Sequence, residues 1–380
     1  MNMPEVNLAA QPAAVSAWRP QSYAPAERAP ELALVTAADA TPILPGIDLW
    51  DNWPLAHEDG RTVEHEGRQY WFMLSAPHFA DPGLRHDAAR IRLLSTGADG
   101  WRDHGNVLPD NAGPGSREWA GSAVLHDDGR TVTLFFTAAG RLGEAHSFEQ
   151  RLFAVRGELG SDGPGNWGIP AEIVKADGRR YVIARETDGK PGLIKAFRDP
   201  AWLRDPATGK CHVLITGSAA WSDDEYNGLV GIATLADDGS WTLGDPLIEA
   251  VGVNNELERP HVIVRDGLYY LFWSTQSRTF APGWPAGPNG LYGAVAARLE
   301  GPWTPVNGSG LVAANPAQEP TQCYSWWTTG EGEVWSFIDH WGLQGRSLND
   351  HPHLLRGQFG GTPAPTFRLH FAGDQVTIAD

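Results

Sequence analysis

Asp266-Gly267-Leu268-Tyr269-Tyr270-Leu271-Phe272-Trp273 is a polar turn followed at once by an apolar, aromatic run. Asp and Gly mark a chain reversal, and a run of Tyr, Leu, Phe and Trp after one reads as a β-strand. The module recurs as Glu66-Gly67-Arg68 before Tyr70-Trp71-Phe72-Met73-Leu74 and as Asp128-Gly129-Arg130 before Val132-Thr133-Leu134-Phe135-Phe136. It recurs again as Thr208-Gly209-Lys210 before His212-Val213-Leu214-Ile215 and as Gly330-Glu331-Gly332 before Val334-Trp335-Ser336-Phe337-Ile338.

These five strands stand about 60 to 80 residues apart, room for a four-stranded antiparallel blade and its loops in each interval. Shorter strands fall between them at Arg90 to Leu94, Leu152 to Arg156, Leu229 to Ala233 and Leu291 to Ala297, separated by Gly, Pro, Asn and Asp turns. Repeated meanders of this kind close radially, which protects the sheet edges and leaves a central funnel. The reading is therefore an all-β, five-bladed β-propeller with a funnel-shaped site. A two-sheet sandwich is the alternative, but it needs no such long, regular period. Residues 1–40, rich in Ala and Pro with Trp18-Arg19-Pro20 as the packing point, read as an extended arm, and residues 41–380 as one propeller domain.

Composition narrows the function. With 29 Lys and Arg against 46 Asp and Glu, the formal net charge of -17 disfavours nucleic acid and anionic membrane surfaces as partners and favours a neutral substrate. No apolar run approaches the roughly 18 residues of a membrane helix, and the N-terminus lacks a basic region followed by an apolar one. Cys211 and Cys323 read as free thiols, too few for a disulfide scaffold or a four-thiolate metal site. No cofactor and no obligate protein partner are evident. The 17 Trp tilt the balance toward strands and aromatic surfaces.

Acids beside aromatics are the candidates for chemistry. In Trp50-Asp51-Asn52-Trp53-Pro54 a carboxylate sits between two tryptophans, whose flat faces pack on sugar C–H groups while partly desolvating the acid. The same stretch also reads as a tight turn with core tryptophans. Ala196-Phe197-Arg198-Asp199-Pro200 ends a strand-like run, with proline expected to turn the chain and Arg198 to keep Asp199 ionised. In Asn254-Asn255-Glu256-Leu257-Glu258-Arg259-Pro260-His261 the two glutamates share a face if the segment is extended, and like charges that close raise one pKa. Trp119, in Arg117-Glu118-Trp119, and Tyr324, in Thr321-Gln322-Cys323-Tyr324-Ser325-Trp326-Trp327, add an aromatic from two further blades. Glycoside cleavage needs two carboxylates flanking the scissile bond, and a propeller would bring Asp51, Asp199 and Glu258 together from three blades.

At these residues the chain resembles glycoside hydrolase family 68, the levansucrase and bacterial β-fructofuranosidase group. The family's Trp-Asp-x-Trp-Pro pattern is similar to Trp50 through Pro54, its Arg-Asp-Pro to Arg198 through Pro200, and its Asp-Glu-x-Glu-Arg to Asn255 through Arg259. The resemblance covers roughly residues 40–375 and implies a five-bladed propeller that takes sucrose and sugar acceptors. It implies Asp51 as nucleophile, Asp199 as transition-state stabiliser and Glu258 as general acid/base. It implies Trp50, Trp119, Arg198, Glu256, Arg259, Gln276 and Tyr324 as substrate-binding residues. It also implies work outside the cell, although no signal peptide is recognisable.

Two departures matter. Asn255 stands where calcium-binding members carry an Asp ligand, so no structural metal is expected. Gln276, in Phe272-Trp273-Ser274-Thr275-Gln276-Ser277-Arg278, stands where members commonly carry Arg or His, which puts long-polymer synthesis in doubt. Arg278 is expected to substitute from the same face of a strand. The leading expectation is a sucrose-cleaving, retaining fructosyltransferase making fructooligosaccharides or levan, with a predominantly hydrolytic β-fructofuranosidase as the alternative. An inverting arabinan or xylan hydrolase and a non-catalytic sugar-binding propeller stand behind these.

Overall fold

The computed structural model describes residues 15–21, 31–184 and 194–379; the rest of the expected arm, 1–14 and 22–30, lies outside them. Five antiparallel meanders follow one another along the chain. The first blade runs Ile47–His57, Arg68–Pro77, Arg90–Gly97, Gly100–Asn106. The second runs Arg117–Leu125, Thr131–Ala139 and Gln150–Gly160, with Gly163–Gly165 and Ala171–Val174 both paired to the last of these. The third begins Phe197–Arg204, Cys211–Ser218, Gly228–Leu235; the fourth Glu258–Arg265, Leu268–Thr275, Gly290–Ala296; the fifth Cys323–Thr328, Glu333–His340. The five recurrent modules of the sequence are the second strand of each blade, and the four shorter runs are third strands of the first four.

The turn before the second strand explains why the module is so legible. Asp266 and Gly267 have φ of 52° and 77°, and Glu66 and Gly67 51° and 69°. Two successive left-handed residues match the twist of a two-residue hairpin, a conformation that glycine adopts at little cost.

The first strands of the five blades contact one another in a closed ring, first to second through to fifth and back to first. Those of blades one and two pair in parallel, Leu55 with Ala123 and His57 with Leu125. The second strands are buried on both faces, as Tyr70–Leu74 and Tyr269–Trp273 are, because each blade is packed between two others. Five apolar clusters fill the five gaps between neighbouring blades. The gap between blades five and one is closed by Trp71 and Trp335, with ring centroids 3.9 Å apart.

The arm contributes to one of these cores. Ser16–Ala17 pairs in parallel with Ile248–Glu249, and Arg19 Nη2 donates to both carboxylate oxygens of buried Glu249 at 2.7 and 2.9 Å. Trp18 is fully buried against Trp273 and Tyr292, ring centroids 5.2 and 5.3 Å away, and its indole N–H donates to the Ser309 carbonyl at 2.9 Å. Truncating so large a buried ring costs about 3–5 kcal/mol. Cys211 and Cys323 lie on different blades as free thiols.

Candidate active site

Each of the five ring strands breaks register near its N-terminal end: between Trp50 and Trp53, Trp119 and Gly121, Arg198 and Ala201, Glu258 and His261, and Tyr324 and Trp327. A bulge re-aims the side chains around it. At four of the five the bulged stretch holds a non-glycine residue with positive φ: Asp51 (49°), Asp199 (59°), Arg259 (51°) and Ser325 (63°). Such conformations cost about 1–3 kcal/mol each and persist where the surroundings impose them. Three of these four are residues that the sequence singles out for chemistry.

The bulges also correct one sequence expectation. Pro200 does not end a strand; Arg198-Asp199-Pro200 lies inside Phe197–Arg204. At the bulge the ladder needs no N–H from this position, so proline, which has none, fits there, and Pro260 occupies the same position in the fourth blade. The segment around Tyr324 is likewise part of a ring strand, the first of blade five.

The three carboxylates meet in one network. Glu258 accepts from Arg198 Nη2 at 2.8 Å and from the Tyr324 hydroxyl, while Arg198 Nη2 also lies 3.5 Å from Glu256 and its Nε 3.6 Å from Asp199. Asp199 is buried and accepts from Thr216 Oγ1 at 2.8 Å and from the Arg259 N–H at 3.2 Å, and its own N–H donates to Thr137 Oγ1 at 2.9 Å. Asp51 opens to the funnel and feels Arg259, Glu258 and Asp199, and its carboxylate is hydrogen-bonded to the Ser325 side chain. Gln276 reaches the Tyr324 hydroxyl.

Arg259 differs in position from the other expected sugar contacts. It is 3% exposed, and its guanidinium donates to Ser325 O at 3.0 Å, Ser325 Oγ at 2.6 Å and Asn52 O at 2.6 Å, sandwiched near Trp53 and Trp327. It ties blades one, four and five together beneath the acids. His261, buried and stacked on Trp327 with centroids 4.4 Å apart, fixes it: Nδ1 meets Arg259 O at 3.0 Å and Nε2 accepts from the Thr328 N–H at 2.8 Å.

Burial sets the protonation states. Asp51 is pushed up to about 6, chiefly by desolvation, with Arg259 opposing. Asp199 is raised for the same reason, with Arg198 opposing. Glu256 is pushed up to about 8 by burial and then by its neighbour Glu258, so Glu256 holds a proton at neutral pH.

Buried donors in this region that have no hydrogen-bond partner among the described residues include Arg198 Nη1, Arg259 Nε, Trp50 Nε1 and Trp119 Nε1. A buried unpaired donor costs about 1–3 kcal/mol, which a ligand's hydroxyl group relieves. Trp50, Trp119 and Tyr324 pack on one apolar cluster, Trp50 within it and the other two half-buried at its edge. The site therefore has aromatic walls, unmatched donors and three acids, a composition suited to a sugar.

A scan against protein-family models matches residues 26–228 and 224–380 to the family described as levansucrase/invertase, glycoside hydrolase family 68. The chain belongs to this family. A levansucrase of Erwinia amylovora is 32% identical over 377 residues, covering 88% of this chain and 86% of that protein. An inulosucrase from Halalkalicoccus jeotgali, solved bound to kestose, is 40% identical with a TM-score of 0.85, covering 96% of this chain and 95% of that one. A levansucrase from Gluconacetobacter diazotrophicus, at 22% identity and a TM-score of 0.79, shares the fold over 98% of this chain and 91% of that one.

Several site residues of this family member carry no sequence signal. Thr137, Thr216 and Ser325 are ordinary strand hydroxyls until the bulges turn acids toward them. Arg85 and His86 lie on the 3₁₀ turn Pro82–Asp87 and flank Trp50, the Arg85 guanidinium 5.6 Å and the His86 ring 6.0 Å from its ring. Contrary to the expectation of a shared strand face, Arg278 lies on the 3₁₀ turn Ser277–Thr279, which Gln276 caps.

Proposed function

We propose that this protein cleaves sucrose and transfers the fructosyl unit to sugar acceptors, with water as a competing acceptor. The observation that carries the reading is the convergence of Asp51, Asp199 and Glu258 from three ring strands on one site, where Arg198 joins Asp199 to Glu258 and Asp51 feels the charge of both. Family membership and the levansucrase and inulosucrase relatives support the substrate.

In the mechanism, the Asp51 carboxylate attacks the fructosyl anomeric carbon while the bond to the glucosyl oxygen breaks, and that oxygen takes a proton from Glu258. Glu256, which burial and the neighbouring Glu258 charge hold protonated at neutral pH, keeps a proton beside this acid. Asp199, ionised beside Arg198, binds fructosyl hydroxyls as positive charge grows at the anomeric carbon. An acceptor hydroxyl then gives its proton to Glu258 and attacks the same carbon, freeing Asp51. Two displacements retain configuration, which requires the Asp51 and Glu258 carboxyls about 5–5.5 Å apart. Work outside the cell belongs to the same proposal.

Purified protein with sucrose, glucose and fructose assayed separately, tests this reading. Glucose in excess of fructose is the expected result. Equal amounts would favour the hydrolytic alternative, and no release of either would overturn the proposal.

A further inference from the structure

Lys195 lies just ahead of Phe197–Arg204, three residues before Arg198. Its ammonium donates to the Glu225 carbonyl at 2.5 Å, to Asn227 Oδ1 at 2.6 Å and to Asn255 Oδ1 at 3.3 Å, using all three of its protons. Each oxygen is fixed from elsewhere. The Asn227 amide nitrogen donates to Ala219 O at 2.9 Å, which leaves its oxygen facing the ammonium. Asn255 is wholly buried, its N–H donates to Thr279 O at 2.9 Å, and a Cβ on Gly228 would come within 2.7 Å of its carbonyl.

The lysine backbone is anchored too. Its carbonyl accepts from Gln150 Nε2 at 2.8 Å, and the next N–H, that of Ala196, donates to Ser218 Oγ at 2.9 Å. The ammonium thus joins the segment that carries Arg198 and Asp199 to the segment that carries Glu256, Glu258 and Arg259. Asn255 immediately precedes Glu256, whose N–H donates to Asn254 Oδ1 at 2.8 Å.

We propose that Lys195 is a positioning residue for the fructosyl transfer argued above: a half-buried cation that sets the spacing between the Arg198–Asp199 and Glu256–Glu258 segments. Three oxygens aimed at one point repel each other unless a cation sits among them. Without the ammonium two of the buried amides lose a partner, and the two segments are free to separate by a fraction of an ångström. Misplacement on that scale at a reacting centre costs up to about 10²-fold in rate.

The test is Lys195→Ala, with and without ethylammonium, read by sucrose kinetics and by hydrogen–deuterium exchange over residues 253–260. The expected result is a kcat about 10- to 100-fold lower with KM within about threefold, and faster exchange at Asn255 and Glu256. Ethylammonium, which fits the emptied three-oxygen cradle, is expected to restore part of both. Asn255→Ala, which keeps the lysine, is expected to lose about 3- to 10-fold in kcat with no response to ethylammonium.

Wild-type exchange and kcat in Lys195→Ala would overturn the proposal, as would a loss shared between kcat and KM that ethylammonium leaves untouched. Wild type in the same assay separates the two ideas. If it does not cleave sucrose, the functional reading fails, and the exchange measurement still decides whether Lys195 fixes the Glu256 segment.

Discussion

Replacing the proposed nucleophile should make the protein more stable. Asp51 is held at about 6 rather than its ordinary 3.8, chiefly because burial penalises the charged form. At about 1.36 kcal/mol per pH unit, the folded state carries a penalty of about 3 kcal/mol once Asp51 is ionised. Asp51 faces the funnel and is not sealed, so solvent screening reduces this to roughly 1–2 kcal/mol. The sign follows from linkage. A carboxyl raised in the folded state adds nothing unfavourable below the unfolded value near 3.8, and its penalty grows until the pH passes about 6.

Asp51→Asn keeps the shape and removes the titration. At pH 7.5 it should unfold about 1–3 °C above wild type, given an unfolding entropy of about 2.1 cal/mol/K per residue. The gap should shrink to about half at pH 5 and close toward pH 4. Sucrose turnover should fall at least about a thousandfold. Thermal unfolding by calorimetry at pH 4.5, 6 and 7.5 measures the effect. A variant less stable than wild type at pH 7.5, or a gap that does not change with pH, would refute the reasoning.

Three further outcomes follow from the same geometry. The pH dependence of kcat/KM for sucrose should be bell-shaped, falling below about 6 as Asp51 is protonated and above about 8 as Glu256 loses its proton; a flat profile from pH 5 to 9 would contradict it. Tyr324→Phe removes the hydroxyl that donates to Glu258 and should lower kcat/KM about 10- to 100-fold, with unfolding unchanged to within about 1 °C. Gly121→Ala would place a Cβ 1.9 Å from the Phe135 carbonyl, so purified variant should lose more than about 2 kcal/mol by denaturant titration.

Much of the fold is legible because each blade advertises its second strand. Glu66-Gly67 and Asp266-Gly267 name the hairpins that precede two of them, and doubly buried runs such as Tyr269 to Trp273 name the strands. The ring strands are harder to read. They carry the acids, prolines and arginines that propensity assigns to turns, and Trp50 to Pro54 or Arg198 to Pro200 look like loops until bulges are allowed for. A left-handed Asp51, Asp199 or Arg259 has no sequence mark, since glycine is the usual occupant and here the function excludes it.

The site is legible where two unusual residue types adjoin, as Trp50 and Asp51 do, or Arg198 and Asp199. It is illegible where commonplace residues acquire a role by placement. Thr216 and Ser325 are hydroxyls among many, His261 reads as a core histidine, and Lys195 is one of few lysines with nothing in its neighbours to single it out. Arg259 shows the converse: its type invites a sugar contact, yet its buried guanidinium donates to Ser325 and Asn52.

The central claim is a fructosyl group carried on Asp51, and the direct measurement is mass spectrometry of enzyme mixed with sucrose and quenched in acid within the first turnovers. A mass increase of one anhydrohexose is expected on the peptide that contains Asp51, absent from Asp51→Asn. Sustained sucrose cleavage with that peptide unmodified at every quench time would contradict it.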